Sequence, residues 1–232
     1  MSTQCFINSI YLATEGEGVH LGTPQIFVRF QGCNIGCVNC DSKDTWEFQD
    51  SSARPIEMVM AQIHAAGKVK RVSITGGDPL HPKILPGVME VALRLKREGY
   101  YVSLEAAGTR IVDELFDLID YVNFDFKTPS TGVKTSTDLI VKLAQKFPGK
   151  FQLKAVIADQ ADFHATVRAY EAVAEKVSMD FPWCLTPCYE PNEPLPLERF
   201  QQVVEMNQTQ GAYFRVIGQQ HKWLFGPDKK QV

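Results

Sequence analysis

The stretch Gln25-Ile26-Phe27-Val28-Arg29-Phe30-Gln31-Gly32-Cys33-Asn34-Ile35-Gly36-Cys37-Val38-Asn39-Cys40-Asp41 decides the fold. Gln25 to Phe30 is an apolar run rich in β-branched and aromatic residues, and it predicts a strand. It opens directly into a C-x3-C-x2-C loop whose glycines let the backbone curl around a bound object. Outward from it, strand-length apolar runs recur at Arg71 to Thr75, Tyr100 to Glu105, Tyr121 to Phe126, Phe151 to Ile157, Trp183 to Thr186 and Tyr213 to Ile217. Helical periodicity fills the intervals at Ile56 to Ala66, Ile84 to Glu98, Thr137 to Lys146, Phe163 to Lys176 and Leu197 to Asn207, with Gly99 placed for a C-cap. Alternating strands and helices predict a mainly parallel sheet. Six or seven such units fall short of an eight-fold barrel of about 250 residues. The expected fold is therefore α/β, a partial (β/α)6-type TIM barrel, with an open doubly wound sheet as the second choice. Both place a site at the carboxyl ends of the strands.

The chain has 232 residues, 44% hydrophobic and 22% charged, and a mass of 26.0 kDa, as expected of one domain over 1–232 with its core at about 24–217. Twenty-four Lys plus Arg against 27 Asp plus Glu give a net charge of -3, which supplies no footprint for nucleic acid. No apolar run reaches the roughly 18 to 20 residues that span a bilayer, and the start lacks a basic, then apolar leader. A cytoplasmic protein without membrane contact is expected. The cysteines at 5, 33, 37, 40, 184 and 188 are too clustered for a disulfide framework, and reduced thiols fit better. Cys184 and Cys188 read as packed thiols.

Three thiolates at this spacing suit an iron–sulfur cluster or zinc, both of which ordinarily take four protein ligands. With only three in the loop, a four-iron cluster would keep one iron open to a substrate or cofactor. A structural zinc completed by a distant Cys or His is the alternative.

Cys33, Cys37 and Cys40 after the first barrel strand resemble the radical S-adenosylmethionine superfamily. Thr14-Glu15-Gly16-Glu17-Gly18, Phe27-Val28-Arg29-Phe30, Gln31-Gly32-Cys33, Cys40-Asp41-Ser42 with Thr45-Trp46, Gly76-Gly77-Asp78-Pro79, Glu105 with Gly108-Thr109, and Gln220-His221-Lys222 narrow the resemblance to the 7-carboxy-7-deazaguanine synthase family, over about residues 10 to 226. That resemblance implies a lyase of the queuosine pathway that turns 6-carboxy-5,6,7,8-tetrahydropterin into 7-carboxy-7-deazaguanine and ammonia. It also implies a [4Fe-4S] cluster, S-adenosyl-L-methionine and Mg2+ as cofactors, an external one-electron donor such as flavodoxin or ferredoxin, and a homodimer.

By the same resemblance, Cys33, Cys37 and Cys40 ligate the cluster, Ser42 the magnesium, and Gly76, Gly77 and Asp78 meet the cofactor's methionine end, Asp78 standing where the superfamily usually has Glu. Strand alternation puts Glu105, and on the next strand Asp125 and Lys127, on an inward face. The resemblance sets these near the cofactor, while a structural ion pair such as Asp125 with Lys154 is the competing account. A pterin edge presents adjacent N–H groups to a carboxylate, and a substrate carboxylate asks for Arg, so Glu17 and Arg29 form the natural pair. The resemblance also sets Glu15 among the substrate-binding residues, though it stands where the family commonly has Gln, and a solvated loop residue is the alternative. Gln220 and His221 would fold toward the pocket. A glycyl-radical activase and a noncatalytic metal or electron-transfer module are the competing functions.

Overall fold

The computed structural model describes residues 3–189 and 197–232. These group into two compact units, residues 3–13 with 24–122, and residues 14–23 with 123–189 and 197–232. The elements in chain order are β1 (Gln4–Thr14), β2 (Pro24–Phe30), β3 (Ala53–Pro55), α1 (Ile56–Ala66), β4 (Arg71–Gly76), α2 (Leu85–Arg97), β5 (Tyr101–Ala106), α3 (Asp113–Leu118), β6 (Tyr121–Phe126), α4 (Thr137–Lys146), β7 (Phe151–Ile157), α5 (Gln160–Ala174), β8 (Trp183–Pro187), α6 (Leu197–Thr209), β9 (Arg215–Val216) and α7 (Gln220–Phe225). Strands β2, β4, β5, β6, β7 and β8 each precede one of the helices α1 to α6, which makes the six strand–helix units of the expected partial barrel.

In the first unit the strands lie in the order β3-β1-β2-β4-β5. β2 runs parallel to β4, with Arg29 opposite Thr75 and Phe30 opposite Gly76. β4 runs parallel to β5, with Ser73 opposite Ser103. Parallel strands covered on both faces need apolar side chains on both, and Ile26, Val28, Phe30, Val72, Ile74, Val102 and Leu104 are all buried. Against them pack Val59 and Ile63 of α1 and Val88, Val91 and Leu95 of α2, at the helical spacing that makes one apolar stripe. Gly99 follows α2 in the left-handed conformation, φ +77°, as the sequence predicts.

In the second unit the order is β6-β7-β8-β9, with β7 and β8 parallel from Leu153 opposite Trp183 to Ile157 opposite Pro187. Asp162, fully buried in the first turn of α5, organises one end of it. Its carboxylate accepts hydrogen bonds from Ser130 N (2.9 Å), Ser130 Oγ (2.6 Å) and Ala158 N (2.9 Å). A buried carboxylate with three donors is stable, but donors stripped of it are not. Asp162→Ala is expected to cost roughly 3 kcal/mol, read as a lower denaturant midpoint with an unchanged m value.

The sequence reading misses four elements. β1 alternates in burial over its first residues, with Cys5 and Ile7 inside, but its polar residues hide the period. β3, α3 and α7 have three to six residues each, too few to display a period. Tyr213 to Ile217 contracts to the two-residue β9. None of the six cysteines forms a disulfide. Cys184 is buried and its thiol donates to Gln152 Oε1 at 3.3 Å. Burial pushes both Cys184 and Cys5 up to about 11, in keeping with packed thiols.

Candidate active site

In the first unit, parallel pairing brings the ends of β2 and β4 side by side, so the cysteine loop and the Gly76-Gly77-Asp78 turn leave the sheet together. Asp78 N donates to Gly32 O at 3.0 Å and Gly77 N to Phe30 O at 3.3 Å. A Cβ on Gly77 would lie 2.5 Å from Gly32 O and 2.6 Å from Cys33 Cβ. Only glycine permits this close approach of the turn to the first cysteine. Asp78 is fully buried, and its Oδ1 accepts from Leu80 N at 3.1 Å.

The loop is closed by residues 42–47. Gly32 N donates to Thr45 O (2.7 Å) and Cys33 N to Trp46 O (3.0 Å). Gln31, buried at the end of β2, donates through Nε2 to Asp44 O (2.9 Å) and Glu47 O (2.7 Å), and its Oε1 accepts from Asn8 at 2.9 Å. The sulfurs themselves receive N–H donors: Ile35 N on Cys33 Sγ, Ser42 N and Trp46 Nε1 on Cys40 Sγ, each at 3.4 Å. Burial is the main influence raising the Cys33 thiol, opposed by backbone N–H donors from Ile35 and Gly36. Among the described residues no group of three or more His, Cys, Asp or Glu is gathered around a single point fit for one metal ion. Three soft donors on one loop, N–H groups already aimed at sulfur, and a side-chain-free turn against Cys33 are what a multi-iron cluster with a chelating cofactor requires.

Arg29 Nη1 lies 3.4 Å from both Ser42 Oγ and Gly76 O, and Ser42 Oγ donates to Asp41 Oδ1 at 3.0 Å. A guanidinium, a hydroxyl and a carboxylate therefore stand together beside the last cysteine. Glu105 at the end of β5 is half-buried, its Oε1 3.5 Å from Ser73 Oγ.

The second unit gathers the remaining candidates. Residues 15–23 form a closed turn, with Glu15 N donating to Thr23 O (2.8 Å) and Gly22 N to Glu15 O (2.9 Å). The buried Glu15 turns back on its own segment, its Oε1 accepting from Glu17 N at 3.2 Å. Gln152 pins the same turn: its Oε1 accepts from Val19 N at 2.9 Å while its Nε2 donates to Asn123 at 2.6 Å. Glu17 accepts from Lys154 Nζ at 2.8 Å on Oε2 and from Gln219 Nε2 at 2.6 Å on Oε1. Burial alone would raise the Glu17 carboxyl, but Lys154, His221 and the hydrogen bonds from Gln219 and Lys154 outweigh it and hold it at about 2. Lys154 also lies 3.6 Å from Asp125 Oδ1, and Lys127 pairs with Asp125 Oδ2 at 2.7 Å. The ion pair anticipated between Asp125 and Lys154 thus exists, as one link of a chain in which Lys154 lies closer to Glu17. Gln220 N donates to Gly16 O at 3.0 Å. His221 packs so tightly over Gly16 that no Cβ would fit there.

Four contributors escape the sequence reading. In the sequence Gln31 and Trp46 are only neighbours of the motif, and Gln152 and Gln219 carry no signal, because an amide's value depends on where tertiary structure sends its donors.

The sequence model of the Radical SAM superfamily matches residues 27–179. The chain is 35% identical over 126 residues to a 7-carboxy-7-deazaguanine synthase of Pyrobaculum aerophilum, covering 54% of this chain and 56% of the relative. It is 31% identical over 166 residues to the Bacillus cereus enzyme of the same name, covering 68% and 67%. The matched stretch thus spans little more than half of the first relative's length and two thirds of the second's. The crystal structure of QueE from Escherichia coli superposes with a TM-score of 0.69 at 22% identity, over 94% of this chain and 95% of that one. The α/β fold with its partial barrel is shared.

Proposed function

Because the chain belongs to the radical S-adenosylmethionine superfamily and, within it, to the 7-carboxy-7-deazaguanine synthase family, we propose that it converts 6-carboxy-5,6,7,8-tetrahydropterin to 7-carboxy-7-deazaguanine with loss of ammonia. One observation carries the reading. The two segments most particular to this family, Glu15 to Gly18 and Gln220 to Lys222, stand some two hundred positions apart in the sequence. They meet in the second unit through Gln220 N on Gly16 O and His221 on Gly16, while the adjacent Gln219 binds Glu17.

In this reading Cys33, Cys37 and Cys40 hold a [4Fe-4S] cluster, Gly76, Gly77 and Asp78 receive the methionine end of S-adenosylmethionine, and Glu105, Asp125 and Lys127 serve the same cofactor. When bound, cluster and cofactor supply one-electron cleavage of a sulfonium, the source of a hydrogen-abstracting radical, and Mg2+ supplies a Lewis acid. Ser42 offers its hydroxyl to the magnesium, which prefers oxygen and keeps several waters. Arg29, beside Ser42, pairs with the substrate carboxylate, whose two oxygens can serve guanidinium and metal together.

Glu17 reads the pterin edge. A carboxylate offers about four lone-pair sites; Lys154 and Gln219 occupy one on each oxygen of Glu17, fixing its orientation and leaving a site on each for two adjacent N–H donors. Its depressed pKa keeps it an acceptor across the physiological range. Glu15, turned toward Glu17 N, shapes the turn that presents Glu17. Gln220 and His221 close it from the tail. An external one-electron donor of the flavodoxin or ferredoxin kind, a homodimeric state and a cytoplasmic location complete the proposal. No helix among the described residues is long and apolar enough to cross a membrane.

Anaerobic incubation of the reconstituted protein with S-adenosylmethionine, reductant, Mg2+ and the carboxypterin tests it. The deazapurine is the expected product. Formation of 5'-deoxyadenosine without it would overturn the substrate assignment and keep the radical chemistry.

A further inference from the structure

We infer that Trp46 is a positioning residue for the cysteine loop, and that its indole N–H, donated to Cys40 Sγ, sets how readily the iron–sulfur group held there accepts an electron. The inference rests on the proposed role of Cys33, Cys37 and Cys40 as cluster ligands.

Trp46 grips two of the three cysteines. Its carbonyl accepts from Cys33 N at 3.0 Å, and its Nε1 lies 3.4 Å from Cys40 Sγ. Ser42 N reaches the same sulfur at 3.4 Å, so Cys40 Sγ receives two N–H donors. Trp46 is held in place by several bonds in its own turn. Thr45, fully buried, donates through Oγ1 to Ser42 O at 2.7 Å, and Trp46 N donates to Lys43 O at 3.2 Å. The Gln31 side chain binds the carbonyls of Asp44 and Glu47 on either side. A donor aimed by this many fixed points costs little entropy to keep aligned.

The physical consequence follows from charge. A thiolate bound to iron carries more negative charge when the cluster is reduced than when it is oxidised. An N–H dipole directed at sulfur stabilises the reduced form more, and hydrogen bonds to sulfur are one of the protein's levers on cluster potential. Half-burial of Trp46 lowers the local dielectric and strengthens the effect. Trp46 would therefore ease delivery of the electron from outside, and its main-chain bond to Cys33 would keep the loop in register during loading.

Full-length wild type and Trp46→Phe, reconstituted anaerobically, are to be compared by iron and sulfide content and by EPR-monitored redox titration. Phenylalanine keeps a packed ring and the main-chain bond to Cys33 but removes the N–H. Equal iron is expected in both, with the reduced-to-oxidised ratio at a fixed applied potential lower in Trp46→Phe by roughly three- to tenfold. A fully loaded variant with an unchanged midpoint overturns the inference. Should the variant fail to load, wild type labelled with 15N-tryptophan decides: hyperfine coupling of an indole nitrogen to the reduced cluster supports the inference, and its absence overturns it. A wild type that binds no iron overturns the cluster reading and this inference with it, whereas iron without the shift overturns this inference alone.

Discussion

Replacing Cys33, Cys37 and Cys40 together by alanine is expected to leave a folded chain that holds no iron and forms neither 5'-deoxyadenosine nor the deazapurine. The fold should survive because the loop's closure is carried by main chain and by Gln31: Gly32 N on Thr45 O, Cys33 N on Trp46 O, and the Gln31 amide on Asp44 O and Glu47 O. None of these bonds uses a thiol. The far-ultraviolet circular dichroism and thermal midpoint should stay close to wild type, while turnover falls by at least about a thousandfold, since rate enhancements of about 10⁶ or more are typical of enzymes and radical generation here depends wholly on the bound cluster. Iron and sulfide analysis of the anaerobically purified proteins separates the two effects. A triple variant that retains turnover would end the radical reading.

Glu17→Gln is expected to damage both stability and catalysis. Its carboxylate, 15% exposed, faces Lys154, also 15% exposed, at 2.8 Å. Lys154 keeps Asp125 at 3.6 Å when Glu17 becomes a neutral amide, which softens the loss. The carboxyl is held at about 2 against an ordinary 4.5, and a group whose pKa is lowered by folding contributes stability that is present above its unfolded value and lost as pH falls through its folded one. The wild type should therefore exceed Glu17→Gln by about 2 to 3 kcal/mol at neutral pH. The gap should narrow below pH 4.5 and close near pH 2. Denaturant titrations across that range check the sign; a gap that widens on acidification would refute the assignment. For turnover of the carboxypterin, loss of a charged acceptor at the pterin edge should lower kcat/KM by roughly a hundredfold. Formation of 5'-deoxyadenosine in the absence of substrate should be spared, because cluster loading does not use Glu17.

The strand–helix alternation was legible because β-branched runs and 3.6-residue stripes are local signals. α1 and α4 fall within the bounds that periodicity predicts, and β6 and β7 do so as well. β1 was not legible, since only Cys5 and Ile7 of its alternate residues are apolar and buried. α7, at six residues, is held by Gln220 N on Gly16 O and by His221 on Gly16 rather than by any stripe of its own.

The candidate site divides in the same way. The sequence alone determined that three thiols share one loop after a strand, that a Gly-Gly turn follows the next barrel strand, and that Glu105, Asp125 and Lys127 fall at alternate positions on one face of their strands, since spacing and strand alternation are properties of the chain itself. Only the tertiary structure decided that Glu17 is already held by Lys154 and Gln219, that Glu15 turns back on its own segment, that Gln31 ties the cysteine loop shut, and that Trp46 aims its N–H at Cys40. The reason is that a hydrogen bond or ion pair needs both partners in place: Lys154 and Gln219 reach Glu17 only when a strand and a tail distant in sequence have folded beside it, and the nearer contacts of Glu15 and Trp46 depend on loop conformations that residue spacing does not fix.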